Sequence, residues 1–246
     1  MKHLFTACLL ITAFSVSAQR ILPQSWFNEN NISDEAISVG DQSRLFGISA
    51  LKDDSKLDYY WDKDFKVSKV YFYSQKVNSG SVISDSVSGI ETRIDLWNKR
   101  VEFNTANEIK VAEALKVSNI FAINSEKKLF QFINAKEFGS ENLTSFFKLL
   151  NASENNALLM SKEVIVQNAN YNAALDTGNK EATIAKMDHF YFWNGTSLIG
   201  IDSKKEVSEL LTDLGFNAKG YLKKSGNKLK SEEDYLKLGH YIFANR

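Results

Sequence analysis

The 246-residue chain balances 30 basic against 30 acidic residues and is 43% apolar and 12% aromatic, ample for a packed core, so global disorder is excluded. A near-neutral surface gives no long-range attraction for nucleic acid or anionic membranes. The one cysteine, Cys8, falls in the first residues; a chain cleaved beyond it has no disulfide, thiolate metal site or cysteine nucleophile.

Lys2 precedes an uncharged run from Leu4 to Val16, and Val16-Ser17-Ala18 offers the small residues that a signal peptidase reads. Residues 1–18 therefore read as a cleavable secretory signal, and the run is short for a membrane span. Losing Lys2 takes the basic residues to 29 against 30 acidic ones, a formal net charge of −1. Nothing later approaches about 18 consecutive apolar residues, so no transmembrane segment is expected in the mature chain. Residues 19–31, with Pro23 and Trp26-Phe27, read as an N-terminal leader.

Residues 32–201 read as one antiparallel β-rich domain. Ala36–Val39 and Leu45–Ile48 flank the turn residues Gly40-Asp41-Gln42-Ser43. Leu51–Asp64 gathers Asp53, Asp54, Asp58, Asp62 and Asp64 around Tyr59-Tyr60-Trp61. Clustered oxygens and aromatic faces would suit a hard cation or a carbohydrate, but the spacing fails the EF-hand pattern. The preferred reading is a solvated loop, interleaved with Lys52, Lys56 and Lys63, with its aromatics tucked against the sheet. Phe65–Val77, rich in β-branched and aromatic residues, is a long strand, and the polar stretch 78–89 links it onward.

Ile90, Thr92, Ile94 and Leu96 alternate with Glu91, Arg93 and Asp95, as a half-buried strand requires. After Asn98-Lys99 the alternation resumes with Val101 and Phe103, which predicts an antiparallel hairpin with one wet face. Short strands follow over Glu108–Leu115, Asn119–Ile123 and Lys128–Ile133, read as a meander, then Phe146–Leu150 and Leu158–Val166. Residues 167–180 read as a loop. Thr183–Trp193 and Thr196–Ile201 flank Asn194-Gly195, a two-residue hairpin signal of type I′. Aromatics on both faces of Met187–Trp193 predict a strand covered on both sides.

At Asp202 the hydrophobic period changes. Ser203 and Glu206 form a capping box, Val207, Leu210, Leu211 and Leu214 recur at helical spacing, and Gly215 is a natural stop. A second helix is predicted over Ala218–Lys224. A third starts at Ser231 as N-cap, with Glu232-Glu233-Asp234 in its first turn and Tyr235, Leu238 and Ile242 on its buried face. Residues 202–246 thus form a C-terminal helical subregion that must pack on the sheet, since such helices are marginal alone. The fold class is α+β, mainly β: an antiparallel curved sheet or partly open barrel with short C-terminal helices.

No catalytic residue, metal site or cofactor is expected. Beyond the signal only His189 and His240 remain; His189 reads as a packed side chain with one hydrogen-bond partner and His240 as surface. No Gly-x-Ser-x-Gly, His-Glu-x-x-His or phosphate-cradling loop occurs. Lys219, Lys223, Lys224, Lys228 and Lys230 form a basic run that could touch anionic headgroups, but Glu232-Glu233-Asp234 follow directly and favour a self-neutralising surface.

The succession Arg93–Phe103, Leu175-Asp176-Thr177-Gly178 before an aromatic hairpin, Lys204–Leu210, Tyr221–Lys224 and Glu232–Leu238 resembles a group of exported, uncharacterised proteins common in Bacteroidetes-type bacteria. That resemblance implies a periplasmic, extracellular or outer-surface location and brings no catalytic residues with it. Strand order alone is similar to the half-open barrels of periplasmic lipoprotein carriers, which implies fold and not function. The expectation is a non-enzymatic envelope module that binds a hydrophobic ligand, such as a lipid, or an envelope protein. Val70, Phe72, Phe190 and Phe192 are its candidate ligand contacts. The alternatives are a hydrolase acting on envelope glycans through two carboxylates, and a surface adhesion or scaffold protein.

Overall fold

A computed structural model describes residues 46–47, 58–73, 86–105, 108–153, 155–167, 177, 181–224 and 228–244. The predicted signal, leader and first strand pair lie outside these residues, apart from the two-residue strand β1 (Phe46–Gly47). Ten further strands follow: β2 (Lys66–Phe72), β3 (Ser86–Asp95), β4 (Arg100–Asn104), β5 (Ile109–Glu113), β6 (Val117–Ile123), β7 (Leu129–Asn134), β8 (Phe146–Ser153), β9 (Asn156–Gln167), β10 (Thr183–Trp193) and β11 (Leu198–Gly200). Among the described residues three α-helices follow the strands: α1 (Lys204–Asp213), α2 (Ala218–Lys224) and α3 (Glu232–Ala244).

All eleven strands join one antiparallel sheet in the order β1-β5-β4-β3-β2-β6-β7-β8-β9-β10-β11. The simple meander is corrected here: β6 pairs with β2, not with its predecessor β5. Only three residues, Ala114–Lys116, separate β5 from β6. Their chain reaches at most about 14 Å, whereas a flat sheet would hold these strands four spacings apart, roughly 19 Å. The sheet must therefore curl sharply over β2–β6. Asn134 pins the corner, its Nδ2 donating to the carbonyls of Ala114 at 2.8 Å and Val117 at 2.7 Å.

Curling gives the sheet an inner face that fills in two parts. Val70, Phe72, Ile94, Val101, Phe103, Ile120, Phe132 and Phe146 form the core of the curled half. Leu158, Met160, Phe190 and Phe192 continue the same face and are covered by Val207, Leu210 and Leu211 of α1 and Tyr235, Leu238 and Ile242 of α3. On the reverse side, Ile133, Phe147, Leu159 and Trp193 pack on Phe138 from the β7–β8 connection. The aromatic end of β10 is thus covered on both sides, as its sequence predicts.

The helices follow their signals closely. Ser203 Oγ accepts from the Glu206 backbone while the Glu206 carboxylate accepts from the Ser203 N–H, a complete capping box. Ser231 caps α3 through the Asp234 N–H. The turns differ from their predictions. The β3–β4 loop takes four residues, 96–99, because the Asp95 carboxylate captures both the backbone and side-chain N–H groups of Asn98, leaving Lys99 at φ 52°. Residues 194–197 likewise form a four-residue loop in place of the type I′ turn. Asn194 Oδ1 accepts from the backbone N–H groups of Thr196 and Ser197, and only Gly195 has positive φ.

The predicted wet face of the first hairpin is also corrected. Asp95 and Glu102 are 1% and 3% exposed. Glu102 accepts from Arg93 at 2.9 Å and Arg100 at 2.8 Å, and Arg100 also pairs with Asp95. Tyr60 and Phe65 lie against the Arg93 guanidinium and shield this network from water.

Candidate functional site

The Asp- and aromatic-rich segment before β2 builds the candidate site. Its backbone pairs with the end of β3, Trp61 N–H to the Ile94 carbonyl and Leu96 N–H to the Tyr59 carbonyl, then bulges through residues 61–64 before β2 begins. Beside that bulge, at the start of β2, a cleft of about 130 Å³ opens at the inner face.

The cleft lies at the seam between the two halves of the core. Trp61 packs on both halves and meets Phe132 edge-on at 5.1 Å. Ile94, Ile120, Ala122, Phe130 and Phe132 provide apolar walls, and Asp62, Asp64, Lys66, Arg93 and Lys148 provide the polar lining. Lys148 stands on β8 between Phe146, which belongs to the curled half, and Leu150, which packs against the helical half. Only 8% exposed, its Nζ lies 4.1 Å from the Phe130 ring centroid and 2.7 and 2.8 Å from the two carboxylate oxygens of Glu232 in α3. Burial pushes its ammonium below the usual lysine range, opposed by Glu232 and reinforced by Lys162 and Lys66.

The segment is strapped across the sheet by charge. Asp58 pairs with Lys186 of β10 at 2.8 Å, Asp62 with Lys66, and Lys162 of β9 stacks over Trp61 while pairing with Asp188. Burial would raise the Asp62 pKa, but Lys66 and the Asp64 N–H together hold it below the usual carboxylate range. The lysines that pair with Asp58 and Asp62, Lys186 and Lys66, come from strands; Lys52 and Lys56 lie outside the described residues. Among the described residues, no three His, Cys, Asp or Glu side chains are grouped to hold a metal ion. Asp53 and Asp54 lie outside the described residues.

Sequence reasoning missed the cleft because its walls come from β3, β6, β7 and β8, brought together only by the curl. Val70 and Phe72 sit in the curled core, Phe72 stacked 6.3 Å from Phe103. Phe190 and Phe192 sit in the helical core, Phe190 stacked on Tyr235 at 3.6 Å. None of these four candidates lines the cleft.

His189 has two partners, one more than expected. Nδ1 lies 2.8 Å from Asp202 and Nε2 3.1 Å from Glu163. Burial favours the neutral ring, but the hydrogen bonds and charges of these carboxylates outweigh it and hold the pKa above the ordinary histidine value. Because the acids occupy opposite ring nitrogens, they cannot converge on one ion with the imidazole. The ring instead ties β9, β10 and the approach to α1, and Asp202 also accepts the Phe190 N–H at 2.6 Å. His240 is exposed on α3, as expected.

Among the described residues no helix is long and apolar enough to cross a membrane. Comparison with known proteins finds no family model, curated protein or solved structure that matches this chain.

Proposed function

We propose that this chain is an exported, non-enzymatic binding module of the cell envelope, and that it holds one group of a larger ligand in the cleft beside Trp61. The observation that carries the reading is the lining: apolar walls from five side chains with charges set around them. Binding sites combine these features, an apolar body with a few placed polar groups. The volume of about 130 Å³ is below the roughly 300 Å³ at which small-molecule pockets begin. It suits a ring or short chain and not an entire lipid.

Binding is favoured over catalysis by the state of the polar groups. Asp62 is held by Lys66, Lys148 by Glu232 and Arg93 by Glu102, so each is already committed to a partner. The two acids of the lining, Asp62 and Asp64, sit two residues apart on one segment, with Asp62 Oδ1 accepting from the Asp64 N–H. A glycan hydrolase needs its acids on opposite sides of the scissile bond. Export is supported by the N-terminal run and its small-residue exit.

Native mass spectrometry of the chain purified from its own envelope fraction tests the proposal, with Ala122→Leu as the cleft-filling control. A small ligand is expected on the wild-type protein and depleted on the variant. Bare protein in both, with nothing released on denaturation, overturns the ligand reading.

A further inference from the structure

We propose that the group entering the cleft carries a carboxylate, and that Glu232 is its internal stand-in on Lys148. This rests on the cleft being the ligand site and adds the ligand's chemical class.

Lys148 is a cation held in apolar surroundings, with Phe130 beneath it and most of its side chain out of water. Such a group needs an anionic partner, because leaving a buried charge unpaired costs far more than exchanging one carboxylate for another. Glu232 meets that need through both oxygens. The two partners differ in how firmly they are placed. Lys148 lies within a central strand, its side chain 10% exposed, whereas Glu232 is the first residue of α3 and its side chain is 33% exposed. Glu232 can therefore turn into solvent while Lys148 stays.

An incoming carboxylate would find its ionic partner at the point where the apolar walls end. Its apolar part would cover Ile94, Ile120, Phe130 and Phe132, a gain that Glu232 cannot supply. The other cations facing Lys148, Lys66 and Lys162, are each paired with an acid of their own, Asp62 and Asp188, which leaves Glu232 as the carboxylate on Lys148. Of the two acids in the lining, Asp62 is held by Lys66. The site then selects small amphiphilic carboxylates over their neutral analogues, and occupancy frees the first turn of α3 from β8.

Phenylacetate and its neutral isostere phenylacetamide separate the claims. Both are titrated by calorimetry and ligand-observed NMR into the full chain, into Glu232→Gln and into Lys148→Met, with circular dichroism confirming each fold. Glu232→Gln should bind phenylacetate about tenfold more tightly than wild type, the scale of one charged hydrogen bond. Lys148→Met should lose the preference for the acid while still binding the amide. If Glu232→Gln binds the acid no better than wild type while the amide binds, the carboxylate inference falls and the cleft reading stands. If neither compound binds any of the three proteins, both fall. Should Lys148→Met not fold, the comparison of wild type with Glu232→Gln decides alone.

Discussion

Tyr235 joins the helical tail to the sheet, and its removal has consequences that can be worked from the structure. The side chain is fully buried, its ring stacks on Phe190 at an interplanar angle of 7°, and its hydroxyl donates to the Ile201 carbonyl at 2.6 Å. Burial holds the phenol above the usual tyrosine range, so it remains a donor at any pH the protein meets. Tyr235→Phe keeps the stack and strands a buried carbonyl, a loss of about 1–3 kcal/mol. Tyr235→Ala also removes the ring between β10 and α3 and should cost about 3–5 kcal/mol, a large share of the roughly 5–15 kcal/mol typical of a domain. Urea unfolding followed by both tryptophan fluorescence and far-ultraviolet circular dichroism measures these losses. With α3 an integral wall of the core, the two signals should shift together and the slopes should stay unchanged. A Tyr235→Ala protein within about 0.5 kcal/mol of wild type, or one whose helical signal melts before its tryptophan signal, would refute the reasoning.

Other consequences follow from single contacts. His189 has its pKa raised in the folded state, so its contribution is full below the ordinary value of 6.5 and is lost as pH rises through the higher folded value. The stability gap between wild type and His189→Gln should therefore shrink on going from pH 6 to pH 9, by no more than about 1 kcal/mol because both carboxylate partners are open to solvent; a gap that widens would contradict the pairing. Gly239→Ala should destabilise despite alanine's better helix propensity, since the new Cβ would meet the Asn151 Cβ at 2.9 Å and Leu158 Cδ2 at 3.1 Å; a raised melting temperature would show that β8 and α3 pack less closely. Glu102→Ala leaves Arg93 and Arg100 without their shared acceptor and should cost roughly 3 kcal/mol by chemical denaturation, whereas a change under about 0.5 kcal/mol is expected only if that face is wet.

Local features were legible in the sequence wherever a residue's role depends on its neighbours in the chain. The helix starts at Ser203 and Ser231, the face of Tyr235, Leu238 and Ile242, and the alternation of Val101 and Phe103 all rest on short-range periodicity. The turns were harder because side-chain capture competes with backbone preference: Asp95 on Asn98, and Asn194 on its own loop, enlarge both hairpins. Long-range pairing was invisible. Nothing in residues 114–116 announces that the chain turns a corner to pair β6 with β2, and Asn134, which secures it, looks like any polar residue at a strand end. Glu102 reads as solvent-facing by alternation but is buried, paired with two arginines, one of which lies over an upstream tyrosine. Trp61 was legible as an aromatic tucked against the sheet, but its position over the seam depends on Lys162, Lys186 and Ile94, all distant in sequence.

The cleft is tested most directly by amide and indole NMR shifts of the isotope-labelled chain during titration with phenylacetamide. The cleft reading predicts saturable changes concentrated at Trp61, Ile94, Ala122 and Phe130, and their loss in Ala122→Leu. Saturable changes that avoid these residues, or that persist unchanged in the filled variant, would contradict it.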